Sequence, residues 1–126
     1  MKAQDDLVYE SLAGPWQLVR AELDAEHVHE LVTSNTVLIL GSDSYEVRFS
    51  GEVADLGTVK KEITGNHPAL VLSGVRGPNA GRTIRCIYQT RGAWLRICYG
   101  MNGVLPDAFT TAQGTQRYLA TYKRAT

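Results

Sequence analysis

Two cysteines, four prolines and two tryptophans in 126 residues leave this chain few staples and few breaks. Cys86 and Cys98 match no zinc-ligand spacing, which excludes a structural zinc module built on them. Neither sign of charge dominates, since 13 Lys and Arg balance 13 Asp and Glu. That balance removes the basic excess of a nucleic-acid binder. No run approaches the ~20 apolar residues of a membrane span, and Met1 to Asp6 hold no apolar signal core. The expectation is a cytoplasmic chain with reduced thiols, no nucleic-acid partner and no membrane span, with export open had a leader been removed. Catalytic signatures are missing too. There is no Ser-His-Asp order, no metal-binding helix motif and no phosphate-cradling loop, because the glycines of 74–81 lead into a strand rather than a helix. Asp43, Glu46, Glu52, Asp55 and Glu62 sit in turns or alternate with apolar positions, which reads as an outward-facing set with no acid–base pair. No enzyme, metal or cofactor is expected.

What is present is an ordinary globular composition, 44% hydrophobic and 21% charged, in a chain long enough for one domain with a real core. Residues 1–10 read as a flexible lead and 11–126 as the domain. Alternation marks the strands. Trp16 and Leu18 oppose Gln17 and Val19 in 16–23, and Tyr45, Val47 and Phe49 oppose Glu46 and Arg48 in 44–50. Further strands fall at 36–40, 52–63, 69–73, 82–89, 93–100 and 115–124, with Gly57 marking a bulge or sharp bend in the second of these. Residues 24–35 have helical spacing, with Val28, Leu31 and Val32 on one side, and read as a short helix or structured loop. Residues 65–68 form a turn, 74–81 a loop, and 101–114 a long connection carrying Pro106. About eight short strands at regular spacing, with one helical insert after the first, predict an all-β antiparallel up-and-down barrel.

Two ends of the chain carry a resemblance. Gly14-Pro15-Trp16 leads into the first strand, and Leu119-Ala120-Thr121-Tyr122-Lys123-Arg124 closes the last. With these the chain resembles the calycin group, the lipocalins and cytosolic fatty-acid-binding proteins. The middle is similar to a small bacterial lipocalin-like domain family of unknown function first noted in planctomycetes. The matching pieces are Gly77-Pro78-Asn79-Ala80-Gly81-Arg82-Thr83-Ile84, Ile87-Tyr88, Leu95-Arg96-Ile97-Cys98 and Pro106-Asp107-Ala108-Phe109. The resemblance implies an eight-stranded lipocalin-like barrel. It also implies that a basic side chain from the last strand, Arg124 or in second place Arg117, packs across Trp16 beside Gly14 and closes the floor.

The candidate interior is Tyr45, Val47, Phe49, Leu70, Leu72, Ile87, Leu95, Ile97 and Tyr99. These residues either fill the barrel or wall a pocket for a small apolar or amphipathic molecule; a largely filled barrel with at most a small cavity is expected. His27 and His29 share a face only on a strand, so the helical reading makes them a solvated pair rather than metal ligands. A three-residue loop of Arg91, Gly92 and Ala93 would oppose Cys86 and Cys98 at about 4.5–5.5 Å between Cα atoms, close enough for a disulfide. A two-residue Arg91-Gly92 turn would separate them and leave two small buried or half-buried thiols. The functional expectation is binding without catalysis. The second reading is a protein-interaction module, of inhibitor or immunity type, that uses Val104, Leu105 and Phe109 of loop 101–114.

Overall fold

The computed structural model describes residues 10–62 and 66–125. A short 3-10 turn, Glu10–Leu12, precedes nine strands and one helix. The elements run β1 (Gly14–Leu23), β2 (Glu26–His27), α1 (Glu30–Ser34), β3 (Thr36–Leu40), β4 (Ser44–Phe49), β5 (Glu52–Glu62), β6 (Ala69–Arg76), β7 (Thr83–Arg91), β8 (Trp94–Gly100) and β9 (Arg117–Arg124). Each strand from β3 to β9 pairs antiparallel with the next in sequence. β1 pairs with both β3 and β9, so eight strands close into an up-and-down barrel and β2 hangs on the end of β1. Closure gives each of the eight barrel strands a partner on both sides.

Alternating side chains enter the barrel because strand residues point to opposite faces by turns. Trp16, Leu18, Leu38, Leu40, Tyr45, Val59, Leu70, Leu72, Ile84, Leu95, Ile97 and Ala120 form one buried interior cluster. The end that carries Leu12, Ala13 and Arg124 is its closed half. The other end carries the segment 24–35 and the loops 77–82 and 101–116.

Segment 24–35 holds the expected short helix after the first strand, over fewer residues and with a different buried face than the spacing suggests. Positive φ at Asp24 and Ala25 turns the chain, β2 returns along β1, and only Glu30–Ser34 is helical. Leu31 and Val32 are exposed, whereas Thr33 is buried and Val28 packs against the core. The Gln17 side-chain amide fixes the helix by donating to the Thr33 and Thr36 carbonyls, each at 3.1 Å. The Thr33 carbonyl, in the last turn of the helix, has no intrahelical partner, and Thr36 opens β3 just beyond it.

A second, smaller apolar cluster lies outside the barrel wall. Ala69, Ile87 and Cys98 face it, and Leu105, Phe109 and Leu119 pack over them. Loop 101–116 therefore covers part of the sheet. Arg96 stacks on the Phe109 ring at 4.0 Å, and His67 meets that ring edge-on at 5.0 Å. At its far end the loop is tied to β1 by Asp24, whose Oδ1 accepts the Gln116 N–H at 2.9 Å. Backbone N–H donors hold the exposed Asp24 carboxyl below its ordinary value of 3.8. Of the three apolar residues that suggested a protein-binding loop, Leu105 and Phe109 are spent on this internal contact and Val104 stays exposed.

Candidate functional site

The barrel interior divides into a filled half and a hollow half. In the filled half, Trp16 is 1% exposed and donates its indole N–H to the Leu12 carbonyl at 2.9 Å. The Arg124 guanidinium stacks 3.9 Å from the Trp16 ring centre, and the two residues are cross-strand partners. Its Nη1 donates to the Ala13 carbonyl at 2.5 Å, and its Nη2 donates to the Ser11 carbonyl. Gly14 makes room for it: φ is +110°, and a Cβ there would stand 3.2 Å from Arg124 Nη1. Leu70, Leu95 and Ile97 are each 1% exposed and pack into the same core.

In the other half a part-open cavity of about 390 Å³ lies between the strands. Its walls are mostly apolar, with Leu38, Val47, Leu72 and Ile84 from the strands and Met101 from the β8–β9 loop. This volume lies within the usual ~300–1,000 Å³ of small-molecule sites. Besides Thr36 and Tyr118, two hydrogen-bonded polar clusters interrupt the walls.

One is a pair of tyrosines, Tyr99 on β8 and Tyr122 on β9, whose hydroxyls are hydrogen-bonded to each other at 2.7 Å. Burial, and then the neighbouring tyrosine, push Tyr99 well above the ordinary tyrosine value. Burial also pushes Tyr122 up.

The other is Asp55, 8% exposed, on β5. Its Oδ2 accepts the Asn79 side-chain N–H at 2.8 Å and the Tyr45 hydroxyl at 3.4 Å. Among the described residues its Oδ1 is buried with no hydrogen-bond partner. Local irregularities build this site. Val47 opposes Asp55 while Arg48 opposes Val53, so Ala54 is an extra residue on β5, immediately before Asp55. Such a bulge turns a side chain away from its regular direction, and both Ala54 and Asp55 line the cavity.

Gly57, two residues on, opposes Tyr45; a Cβ there would lie 2.8 Å from the Tyr45 ring and 2.1 Å from the Ser73 carbonyl oxygen. Only glycine lets that ring lie across β5, from where its hydroxyl reaches Asp55. The loop after β6 supplies Asn79. Gly77, at φ +99°, sits against β5 so closely that a Cβ would meet the Ala54 carbonyl at 2.5 Å and Asp55 Oδ1 at 2.9 Å. Asn79 is held from its other side, its Oδ1 accepting from Arg82 at 3.0 Å. Burial, and then the Asp55 charge, raise Tyr45 to about 12.

The candidate residues from the sequence are therefore dispersed. Tyr45, Val47, Leu72 and Tyr99 line the cavity. Leu70, Leu95 and Ile97 belong to the filled half. Phe49, at the end of β4, is 44% exposed and does not line the cavity. Ile87 is corrected outright: it lies in the outer cluster, because Cys86 and Tyr88 on either side take the inward positions.

Asp55 is the opposite correction, a carboxylate read as outward-facing that the structure buries in the cavity wall. Its signal was parity, since Asp55, Gly57 and Val59 share one face and all are buried. The cysteines are separated. The β7–β8 loop is Gly92-Ala93, so Cys86 opposes Tyr99 and Cys98 opposes Ile87, and the two free thiols face opposite sides of the sheet. His27 is exposed, and His29 caps α1 with Nδ1 accepting the Leu31 N–H at 3.0 Å. Among the described residues no group of three or more His, Cys, Asp or Glu side chains could hold a metal ion, and no helix is long and apolar enough to cross a membrane.

Fold and cavity together define a small eight-stranded antiparallel β-barrel, an architecture consistent with a binding protein. Compared with protein-family models, with curated proteins and with solved structures, the chain has no significant match.

Proposed function

We propose that this protein is a lipocalin-like binding protein that takes a small, largely apolar or amphipathic molecule into the hollow half of its barrel. The observation that carries the reading is the 390 Å³ cavity, walled by apolar side chains above a packed floor. Burying apolar ligand surface there supplies the affinity, at about 25 cal/mol per Å² removed from water. Binding rather than turnover is the reading because the tyrosine hydroxyls that face the cavity hold their protons more tightly than usual. Groups of that kind are poorly matched to proton transfer near neutral pH.

Native mass spectrometry and displacement of an environment-sensitive apolar dye test the proposal. The wild-type barrel is expected to take up one dye molecule. Val47→Phe, which adds a ring to the cavity wall, is expected to cut uptake by about tenfold or more while the protein stays folded. Absence of dye uptake by the wild type, or uptake unchanged in Val47→Phe, counts against the cavity as a binding site.

A further inference from the structure

We propose that the occupant of this cavity carries a protonated amine, and that Asp55 is the residue that receives it, with Asn79 and Tyr45 positioning the carboxylate. The inference rests on the binding reading above and adds the chemistry of the ligand's polar end. A buried carboxylate ordinarily stands beside an arginine or lysine, or accepts several hydrogen bonds. Asp55 accepts from two neutral donors at one oxygen, and its other oxygen has no partner among the described residues. No ion pair involving Asp55 occurs among those residues either; the Arg82 guanidinium contacts Asn79 and the Met101 carbonyl instead. The local backbone is arranged around this carboxylate: the bulge at Ala54, the ring-sized gap at Gly57 and the close approach of Gly77 all adjoin it. Three features that favour glycine or irregular pairing around one buried carboxyl oxygen without a partner describe a built site rather than a defect of packing.

The neighbours decide the sign of the ligand. The Asn79 and Tyr45 donors that reach Asp55 both act on Oδ2, and a second carboxylate would be repelled. An ammonium supplies both opposite charge and N–H donors, the combination that makes the stronger class of hydrogen bond. The remaining walls, Leu38, Val47, Leu72 and Ile84, then enclose an apolar body. The ligand class is thus a small amphipathic amine.

Three probes of equal chain length separate this inference from the general one: n-octylammonium, n-octanol and n-octanoate, each titrated at neutral pH by calorimetry and by dye displacement. On wild-type protein, octylammonium is expected to bind about tenfold or more tighter than octanol, and octanoate most weakly. In Asp55→Asn, the ammonium and the alcohol are expected to come within about threefold of each other, with alcohol binding retained. Octanol or octanoate binding as tightly as octylammonium overturns the amine assignment and leaves the apolar cavity standing. An ammonium preference that survives Asp55→Asn overturns it too. Failure of all three probes and of the dye removes the binding reading itself. The wild-type series stands alone if Asp55→Asn does not fold.

Discussion

Trp16 and Gly77 hold the two halves of the barrel by different physics. Trp16 is held on three sides: its indole N–H bonds to Leu12, its ring carries the Arg124 guanidinium, and the strands around it leave it 1% exposed. Trp16→Ala should cost about 3–5 kcal/mol, since it removes a large buried side chain and leaves the space unfilled. Arg124→Lys should cost less, roughly 1–2 kcal/mol, because a lysine keeps the charge but loses the planar stack and the fork that reaches both Ala13 and Ser11 carbonyls. Urea unfolding of the two variants checks both values; a loss within error for Trp16→Ala would show that the floor does not depend on it. At Gly77 the limit is backbone: φ is +99° and the space is taken by the Ala54 carbonyl. Gly77→Ala should lift Asn79 away from Asp55, so its expected signature is weakened octylammonium binding together with a modest loss of stability of about 1–3 kcal/mol.

The β7–β8 hairpin shows at the level of one element what is legible in sequence and what is not. The alternation of Tyr45, Val47 and Phe49 and the strands on either side of Gly92 lie in the residues, because a period of two is written directly into side-chain polarity. The register is not, because shifting a two-residue loop by one position changes every cross-strand pair. Gly92, at φ +59°, takes the first loop position, as type II′ hairpins prefer, and that choice alone sends Cys86 inward and Cys98 outward.

Ile87 departs from its expected inward position for a related reason. Cys86, Ile87 and Tyr88 are all buried, since the outer face of this strand is covered by Leu105 and Phe109, and a strand covered on both faces loses its alternation. Asp55 escaped notice because a bulge, unreadable from polarity alone, prepares its position.

The hairpin register yields a prediction. Burial pushes both thiols up, so few thiolates form at neutral pH and both should resist alkylation in the folded protein. Mass spectrometry under a mild oxidant should find two free thiols, each labelled by iodoacetamide only after denaturation. Loss of two hydrogens from the monomer would mean that a different hairpin register is populated.

At the scale of the whole molecule, the closed barrel makes its interior a place where phenol and thiol protons are hard to remove. Burial is the first cause in every case. Tyr45 is raised to about 12, and Tyr99, Tyr118, Tyr122 and Cys86 are raised with it, as is Cys98 in the outer cluster under loop 101–116. The unfolded chain gives up these protons near the ordinary values of 9.0 and 10.0, whereas the folded chain keeps them. Above those values the unfolded state therefore binds fewer protons than the native state, and stability falls as pH rises. The contribution is fully present below pH 9.0, and it drains away from there through the raised native values. Alkaline unfolding should accordingly be cooperative, with the tyrosinate absorbance of the buried tyrosines growing in step with loss of the barrel's circular dichroism rather than before it. Tyr99→Phe should relieve part of this dependence, since it removes one such phenol while leaving the Tyr122 hydroxyl without its 2.7 Å partner. The variant is thus expected to be somewhat less stable at neutral pH and to lose stability less steeply above pH 10.0. Denaturant midpoints collected at neutral and alkaline pH measure both effects. Tyrosinate absorbance that rises fully while the circular dichroism is still native would show that these hydroxyls are not sealed inside the barrel.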